Sequence, residues 1–377
     1  MARELRVLVL ANKAAGIAPA QRYRFEQWTP WLEREHGIRL DLLPFESPAL
    51  TEILYEDGHF ASKAALVGYD FVRRFKAIFA AKHYDGILIV REVALIGPAI
   101  YERLLAWTGK PIIFDFDDAI WSPGQAWKNG WFSRLHFPSK TSTICKIATA
   151  VTVGNQFLAA YARRRNDHAS IVPSSIELAD YPLIPESAND GKLVVCWSGS
   201  TSTLVHFEHA RPALERLASV VPLVVKIVCS RPPERPIAGA ETRFVPWSSE
   251  REAYDVGDCH VGIMPLPDDE VSRGKCGMKA LQYMATGRPV VVSPVGVNAE
   301  IVRDGENGFL AAGTEQWVDA LGKLTEDPAL RARLGQKARE TVEQGFTAEI
   351  SSRKFAAVVR DVCASYQPEH CTNNLSG

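Results

Sequence analysis

Apolar runs alternate with stretches of helical periodicity over the first part of the chain. Runs typical of buried strands occur at residues 6–12, 38–45, 84–91, 110–116 and 148–154. Helical spacing separates them at residues 22–35, 60–82, 98–107, 128–147 and 156–165. Strands separated by helices of this length pair in parallel through right-handed crossovers. The pattern therefore predicts a doubly wound α/β sheet from residue 5 to about residue 172.

A second alternating set follows a passage rich in proline and turn-forming residues, 171–192. Its predicted strands are residues 193–199, 223–229, 242–246, 260–265 and 288–294. A helical pattern at 348–362 closes the periodic part of the chain. We therefore expect two Rossmann-like domains, 1–183 and 184–347, with a hinge near 180–192.

The most specific pattern lies at residues 258–310. A short apolar strand at 261–265 precedes a polar loop at 268–276, a helix at 278–285 and a buried strand at 289–293. This is one parallel βαβ unit, and its loop lies beyond the carboxyl ends of the strands, where open parallel sheets bind ligands. Arg273 and Lys275 stand in that loop just ahead of a helix N-terminus, which predicts an anionic ligand.

Composition narrows the class of protein. The chain has 377 residues, of which 46% are hydrophobic and 23% charged, as is ordinary for a folded globular protein. Its net charge of -1 gives no general reason to expect nucleic acid as a partner. Seven cysteines without metal-ligand spacing indicate a reducing compartment. Without a signal peptide or a bilayer-length apolar run, we expect a cytoplasmic protein that meets a membrane, if at all, from its surface.

The thirty-position stretch at 281–310, LQYMATGRPVVVSPVGVNAEIVRDGENGFL, resembles the donor-binding segment of the GT-B glycosyltransferases, in particular retaining glycosyltransferase family 4 (glycosyl transferases group 1). The family usually has two glutamates eight positions apart, and here Gly274 and Gln282 occupy those positions. The resemblance implies a nucleoside-diphosphate sugar as donor, a hydroxyl acceptor and retention of anomeric configuration. It implies no metal and no separate cofactor.

The resemblance also assigns roles to the domains. The first would bind the acceptor and receive the returning helix 348–365, and the second would bind the donor across a cleft. Arg273 and Lys275 would stabilise the leaving diphosphate, and Gln282 would replace the glutamate that binds the ribose. The remaining expected donor contacts are Gly199, Ser200, Thr201, Trp247, Gly274, Cys276, Gly277, Met278 and Lys279.

Several of these positions have a structural alternative. The run Gly199 to Thr203 offers backbone N–H groups and hydroxyls to a diphosphate, but such residues also cap helices. Trp247 is placed to stack on a nucleobase, or to pack in the core. Gly296 and Asn298 would line the donor pocket in the family, and equally suit a turn.

Two arginines, Arg22 and Arg24, stand at the start of the first helix, where positive charge opposes the helix macrodipole. A related branch of these transferases has a similar element, so we expect the pair to bind an anionic acceptor or the donor phosphates. The alternative is two solvated arginines in a first helical turn.

Three carboxylates, Asp115, Asp117 and Asp118, end a predicted strand of the first domain. Their repulsion would raise some of their pKa values unless a cation or hydrogen-bond donors intervene. Asp117 and Asp118 align with a histidine-aspartate pair of the family and are our candidates for catalysis. A metal site, or Asp118 as a helix N-cap, are the alternatives.

Basic and aromatic residues alternate at 71–82 and 126–140, a composition that suits anionic lipid headgroups. For 71–82 a core-facing helix with a solvated basic face is favoured, whereas 127–137 is the stronger candidate for a membrane contact or a lid. The resemblance implies a metal-independent hexosyltransferase of cell-envelope polysaccharide synthesis with a glycan or lipid-linked acceptor, and the aromatic-basic segments predict a peripheral membrane location. The rival is a noncatalytic nucleotide- or glycan-binding homologue. An NAD-dependent enzyme is disfavoured because no strand is followed by GxGxxG.

Overall fold

The computed structural model describes residues 3–54, 56, 58–94, 97–122, 137, 139–186 and 191–365. They form two compact units, one that runs to Val172 and takes up the chain again from Ser351, and one of Pro173–Ile350. Residues 173–183 therefore belong to the second compact unit. The domain boundary expected from the sequence, between residues 183 and 184, stays a prediction.

The first unit is built on a six-stranded parallel sheet in the order β2-β1-β3-β4-β5-β6. Its strands are β1 Leu5–Ala11, β2 Ile38–Pro44, β3 Gly86–Val90, β4 Ile112–Phe116, β5 Ala150–Val153 and β6 Ala169–Ile171. Five of them follow the predicted apolar runs. The sixth, β6, was not predicted, because a strand of three residues carries little periodicity.

Helices flank this sheet. They are α1 Pro19–Gln21, α2 Gln27–His36, α3 Pro48–Ile53, α4 Phe60–Ala80, α5 Ile100–Trp107, α6 Ser139–Ile147 and α7 Gln156–Arg163. Between α1 and α2 the chain makes a π-helical turn, Arg22–Glu26, with a kink at Arg24 (φ -117°, ψ -108°). The predicted helix 128–147 is described only from Ser139 onward.

The second unit contains another six-stranded parallel sheet, in the order β12-β11-β10-β7-β8-β9. Its strands are β7 Leu193–Ser198, β8 Leu223–Cys229, β9 Glu241–Pro246, β10 Val261–Met264, β11 Val290–Val292 and β12 Gly308–Leu310. Its helices are α8 Leu204–Phe207, α9 Arg211–Ala218, α10 Glu252–Gly257, α11 Glu270–Arg273, α12 Met278–Ala285, α13 Asn298–Ile301, α14 Thr314–Glu326 and α15 Pro328–Gly345. Two doubly wound sheets confirm the predicted fold class.

The last helix, α16 Ala348–Ser365, belongs to the first unit from Ser351 onward. Phe355 packs its ring 5.4 Å from that of Trp28 on α2, and both side chains are buried. Arg360 donates a hydrogen bond to the carbonyl of His36 at 2.8 Å. The expected return of the C-terminal helix to the N-terminal domain is therefore confirmed.

A close contact sets the position of α12 over the second sheet. Tyr283 of α12 lies across β10 at Gly262, where an added Cβ atom would come within 2.1 Å of the tyrosine ring. Only glycine fits there, so the helix can approach the strand closely. This contact holds α12 close to β10. Among the described residues, no helix is both long and apolar enough to cross a bilayer.

Candidate functional site

The predicted βαβ unit is present in the second unit. Helix α12 has the predicted bounds, and β10 and β11 lie within the predicted strands. The expected loop between them contains one short helix, α11, which was not predicted. Asp269 caps it by accepting a hydrogen bond from the Ser272 amide at 2.7 Å. An aspartate followed by glutamate is a helix start that sequence analysis should have identified.

Glycines let two loops meet at this edge of the sheet. Gly277, just before α12, has φ +70°, and an added Cβ would lie 2.5 Å from Ile301. Gly296 has φ +55°, and its Cβ would lie 2.6 Å from the carbonyl oxygen of Arg273. A side chain at either position would be strained and would collide with its neighbour. The loop after β11 therefore packs directly on the loop that carries Arg273 and Lys275.

Positive charge gathers beside the start of α12. Burial first, and then the charges of Lys275 and Lys279, lower the pKa of His206 to about 4, with Asp269 acting in the opposite direction. Lys279 also places its ammonium 5.8 Å from the ring centroid of Trp197, on β7. The charges of both lysines therefore reach His206 on α8, the helix that follows β7. His206 was not among the predicted residues, although it closely follows the predicted hydroxyl-rich loop.

Arg273 has different surroundings from Lys275. Its guanidinium is half exposed and donates to both carboxylate oxygens of Asp268, at 2.6 and 3.0 Å. The two basic residues that the sequence grouped together therefore differ: the arginine pairs with an exposed aspartate, and the lysine contributes to the field at His206. Gly274 and Cys276, which flank Lys275, are buried, and Met278 is half-buried.

The loop after β7 is rich in exposed hydroxyls. Gly199 leaves no room for a side chain, because an added Cβ would lie 2.6 Å from both the Trp197 ring and the Thr203 hydroxyl. Ser200 and Ser202 share a hydrogen bond of 3.0 Å, and Thr201 bonds to Ser230 at 2.9 Å. The Ser200 side chain makes no capping hydrogen bond to the turn that follows. Side-chain capping therefore does not account for this serine.

Gln282 and Trp247 belong to one polar network. Gln282 is buried and its amide donates to the Tyr181 hydroxyl at 2.8 Å. Tyr181 in turn donates to Glu252 at 3.1 Å, and the indole N–H of Trp247 donates to the other oxygen of Glu252 at 2.9 Å. Trp247 is held by its N–H group while 39% of its surface stays exposed. The expected base and ribose contacts are thus joined through two residues that sequence analysis did not identify.

In the first unit, Arg24 is buried against Asp115. The guanidinium donates to both carboxylate oxygens, at 2.8 and 2.5 Å, and to the Val172 carbonyl at 2.6 Å. Thr152 donates to the same carboxylate at 2.6 Å. Arg24 is 1% exposed, so the alternative of a solvated arginine is wrong for it. The predicted contact of Arg24 with an anionic ligand stays a prediction. Its guanidinium already binds Asp115 and the Val172 carbonyl.

Arg22, the other arginine of this pair, is half-buried. Its guanidinium lies 4.5 Å from the ring centroid of Tyr23. Arg24, at the kink of this turn, is buried in the core. Arg22 therefore keeps the more accessible position of the two.

Asp117 and Asp118 both bind Arg91, a residue that sequence analysis missed. Arg91 donates to Asp117 at 2.7 and 2.8 Å and to Asp118 at 3.0 Å. Burial works to raise the pKa of Asp117, but the charges of Arg91 and Arg24 hold that pKa below its usual value. Donor groups thus intervene between the carboxylates. A basic residue at the end of a buried strand, as in ILIVR, was the available signal.

The backbone at this point is unusual. Arg91 follows β3 with φ +62°, a conformation uncommon for a residue with a side chain. Its amide donates to the carbonyl of Asp115 at 2.8 Å. The positive charge that binds Asp115, Asp117 and Asp118 comes from Arg24 and Arg91. Among the described residues, no cluster of side chains that could hold a metal ion is found. Residues 120–121 form a turn and none of residues 119–122 is helical, so Asp118 does not cap a helix that begins in this stretch.

The two aromatic-basic segments have different outcomes. Residues 127–136 lie outside the described residues. Lys140, expected to attract lipid headgroups, is buried and bonds to Glu92 at 2.9 Å, so that expectation is wrong. In the segment 71–82, Phe75 and Phe79 are exposed, which contradicts the favoured core-facing arrangement for these two side chains.

Comparison with known proteins supports the resemblance. Residues 205–327 match the family model of glycosyl transferases group 1. A D-inositol 3-phosphate glycosyltransferase of Kribbella flavida is 36% identical over 86 residues, which is 22% of this chain and 20% of that protein. One from Corynebacterium urealyticum is 27% identical over 187 residues, 48% of this chain and 37% of that protein. The chain thus matches between about a fifth and two fifths of the length of these relatives.

Solved structures extend the likeness of fold to nearly the whole chain. Sucrose-phosphate synthase from Thermosynechococcus elongatus superposes with a TM-score of 0.65 at 17% identity, covering 97% of this chain and 100% of that one. Anabaena HepE in complex with UDP and glucose gives a TM-score of 0.65 at 15% identity, with coverage of 94% and 99%. At these identities the likeness establishes the GT-B fold.

Proposed function

We propose that this chain is a glycosyltransferase that moves a hexosyl group from a nucleoside-diphosphate sugar to a hydroxyl acceptor, with retention of configuration. The observation that carries the proposal is the meeting of two loops at the carboxyl edge of the second sheet, where Lys279 places its ammonium 5.8 Å from the ring centroid of Trp197. The charges of Lys275 and Lys279 there add to burial in lowering the pKa of His206. Both loops lie within the stretch that matches the family model. HepE, which shares the fold, is described with UDP-glucose, so we take a UDP-sugar as the donor to test first.

In the proposed reaction, the bond between the anomeric carbon and the diphosphate oxygen breaks while the acceptor hydroxyl forms its bond on the same face. The hydroxyl proton leaves with the diphosphate. Negative charge grows on that diphosphate, and Lys275 and Lys279 would stabilise it. Preorganised positive charge of this kind typically contributes more to such catalysis than any other single effect. Arg273 would join them by exchanging its exposed partner Asp268 for phosphate oxygen.

The nucleoside half would be recognised beside this charge. Trp247 would stack on the base, because Glu252 holds its indole and part of its ring stays exposed. Gln282 would reach the ribose while its amide nitrogen stays with Tyr181. The loop Gly199 to Thr203 would supply hydroxyls and backbone N–H groups to the diphosphate.

We assign acceptor binding to the first unit. Arg22 would contact an anionic part of the acceptor, and Asp117 and Asp118, oriented by Arg91, would receive its hydroxyl. A glycan or lipid-linked acceptor of cell-envelope polysaccharide synthesis fits this assignment. We also propose a peripheral location at the cytoplasmic face of a membrane.

A second candidate function is noncatalytic binding of a nucleotide or glycan. It is favoured by Gly274, which stands where the family usually has the glutamate that contacts the donor sugar. The buried position of Gly274 offers no side chain to replace that glutamate. The first function instead requires the sugar to be held by other groups at the site.

The two candidates are separated by turnover of a radiolabelled UDP-sugar with a crude lipid or polysaccharide extract. The enzyme should transfer label to the extract in the presence of EDTA, since no metal is proposed. Nuclear magnetic resonance of the product should show the donor's anomeric configuration. Saturable UDP binding with no transfer to any extract would favour the binding protein instead.

A further inference from the structure

The outward faces of α4 and α5 carry more apolar surface than a solvated face needs. Six large side chains on them are exposed: Tyr69, Val72, Phe75, Phe79, Ile100 and Trp107. We call this set the α4–α5 face. Trp107 is 81% exposed and Phe79 73%, so they are not core residues with an open edge. Contiguous exposed apolar patches on soluble proteins usually mark an interaction site.

The sequence spacing places these residues together on α4. Positions 69, 72, 75 and 79 follow one another at three or four residues and therefore share one side of the helix. The opposite side is the buried one, formed by Asp70, Arg74 and Ala77. The apolar residues consequently face away from the sheet.

Helix α5 continues the same surface. Phe75 packs its ring 4.9 Å from that of Tyr101, and the Tyr101 hydroxyl donates to the Phe71 carbonyl at 2.6 Å. Both helices lie on connections that run in the same direction along the sheet, from β2 to β3 and from β3 to β4. Right-handed crossovers place such helices on one side of a sheet. Their outward faces therefore form one surface.

The charges on this surface have one sign. Asp70 and Glu102 are the acidic residues within α4 and α5, and both are fully buried. Lys76 and Arg103 are exposed on the two helices, and Lys82 is exposed just after α4. An apolar helix face flanked by exposed basic residues and no exposed acidic ones is typical of helices that lie in a membrane interface. It is complementary to the negative surface of a bilayer with anionic lipids.

We propose that the α4–α5 face docks on an anionic lipid surface. Phe79, Trp107 and Tyr69 would enter the headgroup boundary, where aromatic side chains are favoured. Lys76, Lys82 and Arg103 would meet lipid phosphates. This deepens the peripheral location proposed above, because it names the surface, and it does not depend on the donor site. It also differs from the segment at 127–137 that the sequence favoured.

Vesicle co-sedimentation tests the proposal. The protein should bind vesicles of phosphatidylcholine with phosphatidylglycerol at least about tenfold more tightly than phosphatidylcholine alone, and less tightly as salt rises. Phe79→Ser combined with Trp107→Ser should weaken binding by at least about tenfold, because two exposed anchors are lost. Lys76→Glu combined with Arg103→Glu should also weaken it, and most strongly at low salt.

A matched pair of valines provides the control. Val72 and Val220 are similarly exposed, 68% and 74%, but Val220 lies in the second unit. Val72→Ser should weaken vesicle binding and Val220→Ser should leave it unchanged, with equal melting temperatures. Equal loss in both variants, or equal binding to neutral and anionic vesicles, would overturn the proposal.

Other occupants give other results. If the wild type fails to bind every vesicle and the Phe79→Ser, Trp107→Ser variant turns a dimer into a monomer in analytical ultracentrifugation, the face is an interface with a second copy, and the proposal is wrong. Binding of UDP, followed by thermal shift, should be the same in all these variants. If the wild type does not bind UDP, the proposed function is wrong, but the conclusion from the vesicle experiment is unaffected.

Discussion

The charged side chains at the carboxyl ends of the strands are arranged differently in the two sheets. In the first unit, the buried or half-buried arginines Arg24 and Arg91 are matched with the carboxylates of Asp115, Asp117 and Asp118. In the second unit, burial first, and then the charges of Lys275 and Lys279, lower the pKa of His206, with Asp269 acting in the opposite direction. At the first edge the arginines and carboxylates bind one another, whereas at the second edge two lysines act on the same histidine.

This difference indicates what each edge can do. A buried, internally paired cluster contributes little binding energy to a charged ligand, because its partners already satisfy one another. It fixes geometry instead, and here it holds Asp117 and Asp118 in place. A site lined by several basic side chains attracts an anionic ligand. The contrast predicts structural consequences from mutation in the first unit and binding consequences in the second.

The largest effect should come from breaking the buried pair of the first unit. Arg24→Ala leaves Asp115 buried without its cation, which typically costs about 3–5 kcal/mol. Urea denaturation followed by tryptophan fluorescence should show this loss in the transition of the first unit. Arg34→Ala, which removes an exposed pair with Glu35, should change stability by less than about 1 kcal/mol. If both variants unfold alike, Arg24 is not a structural residue.

The second prediction concerns the basic residues Lys275, Lys279 and Arg273 of the second unit. Lys275→Ala and Lys279→Ala should each weaken UDP binding at least about tenfold, since a hydrogen bond to a charged group is worth about 1.5–3 kcal/mol. Their melting temperatures should stay near that of the wild type. Arg273→Ala should lower turnover at least about tenfold, with a smaller effect on UDP affinity because in the free protein the guanidinium already binds Asp268.

Lys337→Ala is the control for these variants, because that lysine is exposed and pairs with Glu340 on α15. Isothermal titration calorimetry should give it wild-type affinity. Wild-type UDP affinity in the Lys275 and Lys279 variants would remove both lysines from the binding site.

The same contrast explains how far sequence analysis reached. Periodicity predicted α12 and the strands beside it, because those elements are long or continuously apolar. It missed β6 and β12, which have three residues each. It also placed Arg24 in solvent or on a ligand, since a single sequence does not show that Asp115, 91 positions away, is its partner. A sequence pattern can predict which residues lie at the ends of strands. It does not predict which side chains form ion pairs when they are far apart in the sequence.

Gln282 shows this limit within the donor site and gives the third prediction. Gln282→Ala should weaken UDP binding by about 1 kcal/mol, for one lost hydrogen bond, whereas Gln282→Glu should keep or raise affinity. The partner residue adds an expectation that the sequence did not offer. In Gln282→Glu, two carboxylates would compete for the single Tyr181 proton, so stability should fall while affinity is kept.

Calorimetry and denaturation of the same samples separate these effects. Tyr181→Phe serves as the reference, since it removes the contested proton and should make Gln282→Glu less destabilising than in the wild-type background. Equal UDP affinity in the three forms of residue 282 would mean that the side chain does not touch the ligand.

The smallest expected effect is a pH dependence from His206. Because burial and the charges of Lys275 and Lys279 lower its pKa to about 4, the imidazole is neutral in the free protein at neutral pH. A bound diphosphate would raise that pKa, so binding would take up a proton in the window between the free and bound values. UDP affinity should therefore rise as pH falls through this window, by less than about tenfold per pH unit because one proton is involved.

The stability of the free protein should change in the opposite direction. The unfolded chain binds a proton at His206 near pH 6.5, the usual value, whereas the folded state does so only near pH 4. Its contribution to stability is thus complete above about pH 6.5 and is lost as pH falls toward 4. His206→Gln removes the titrating group and should flatten both profiles relative to the wild type, with protonation of UDP itself common to both. Parallel profiles in the two proteins would show that His206 does not sense the ligand, and the positive field would then have to act on the diphosphate through the lysines alone.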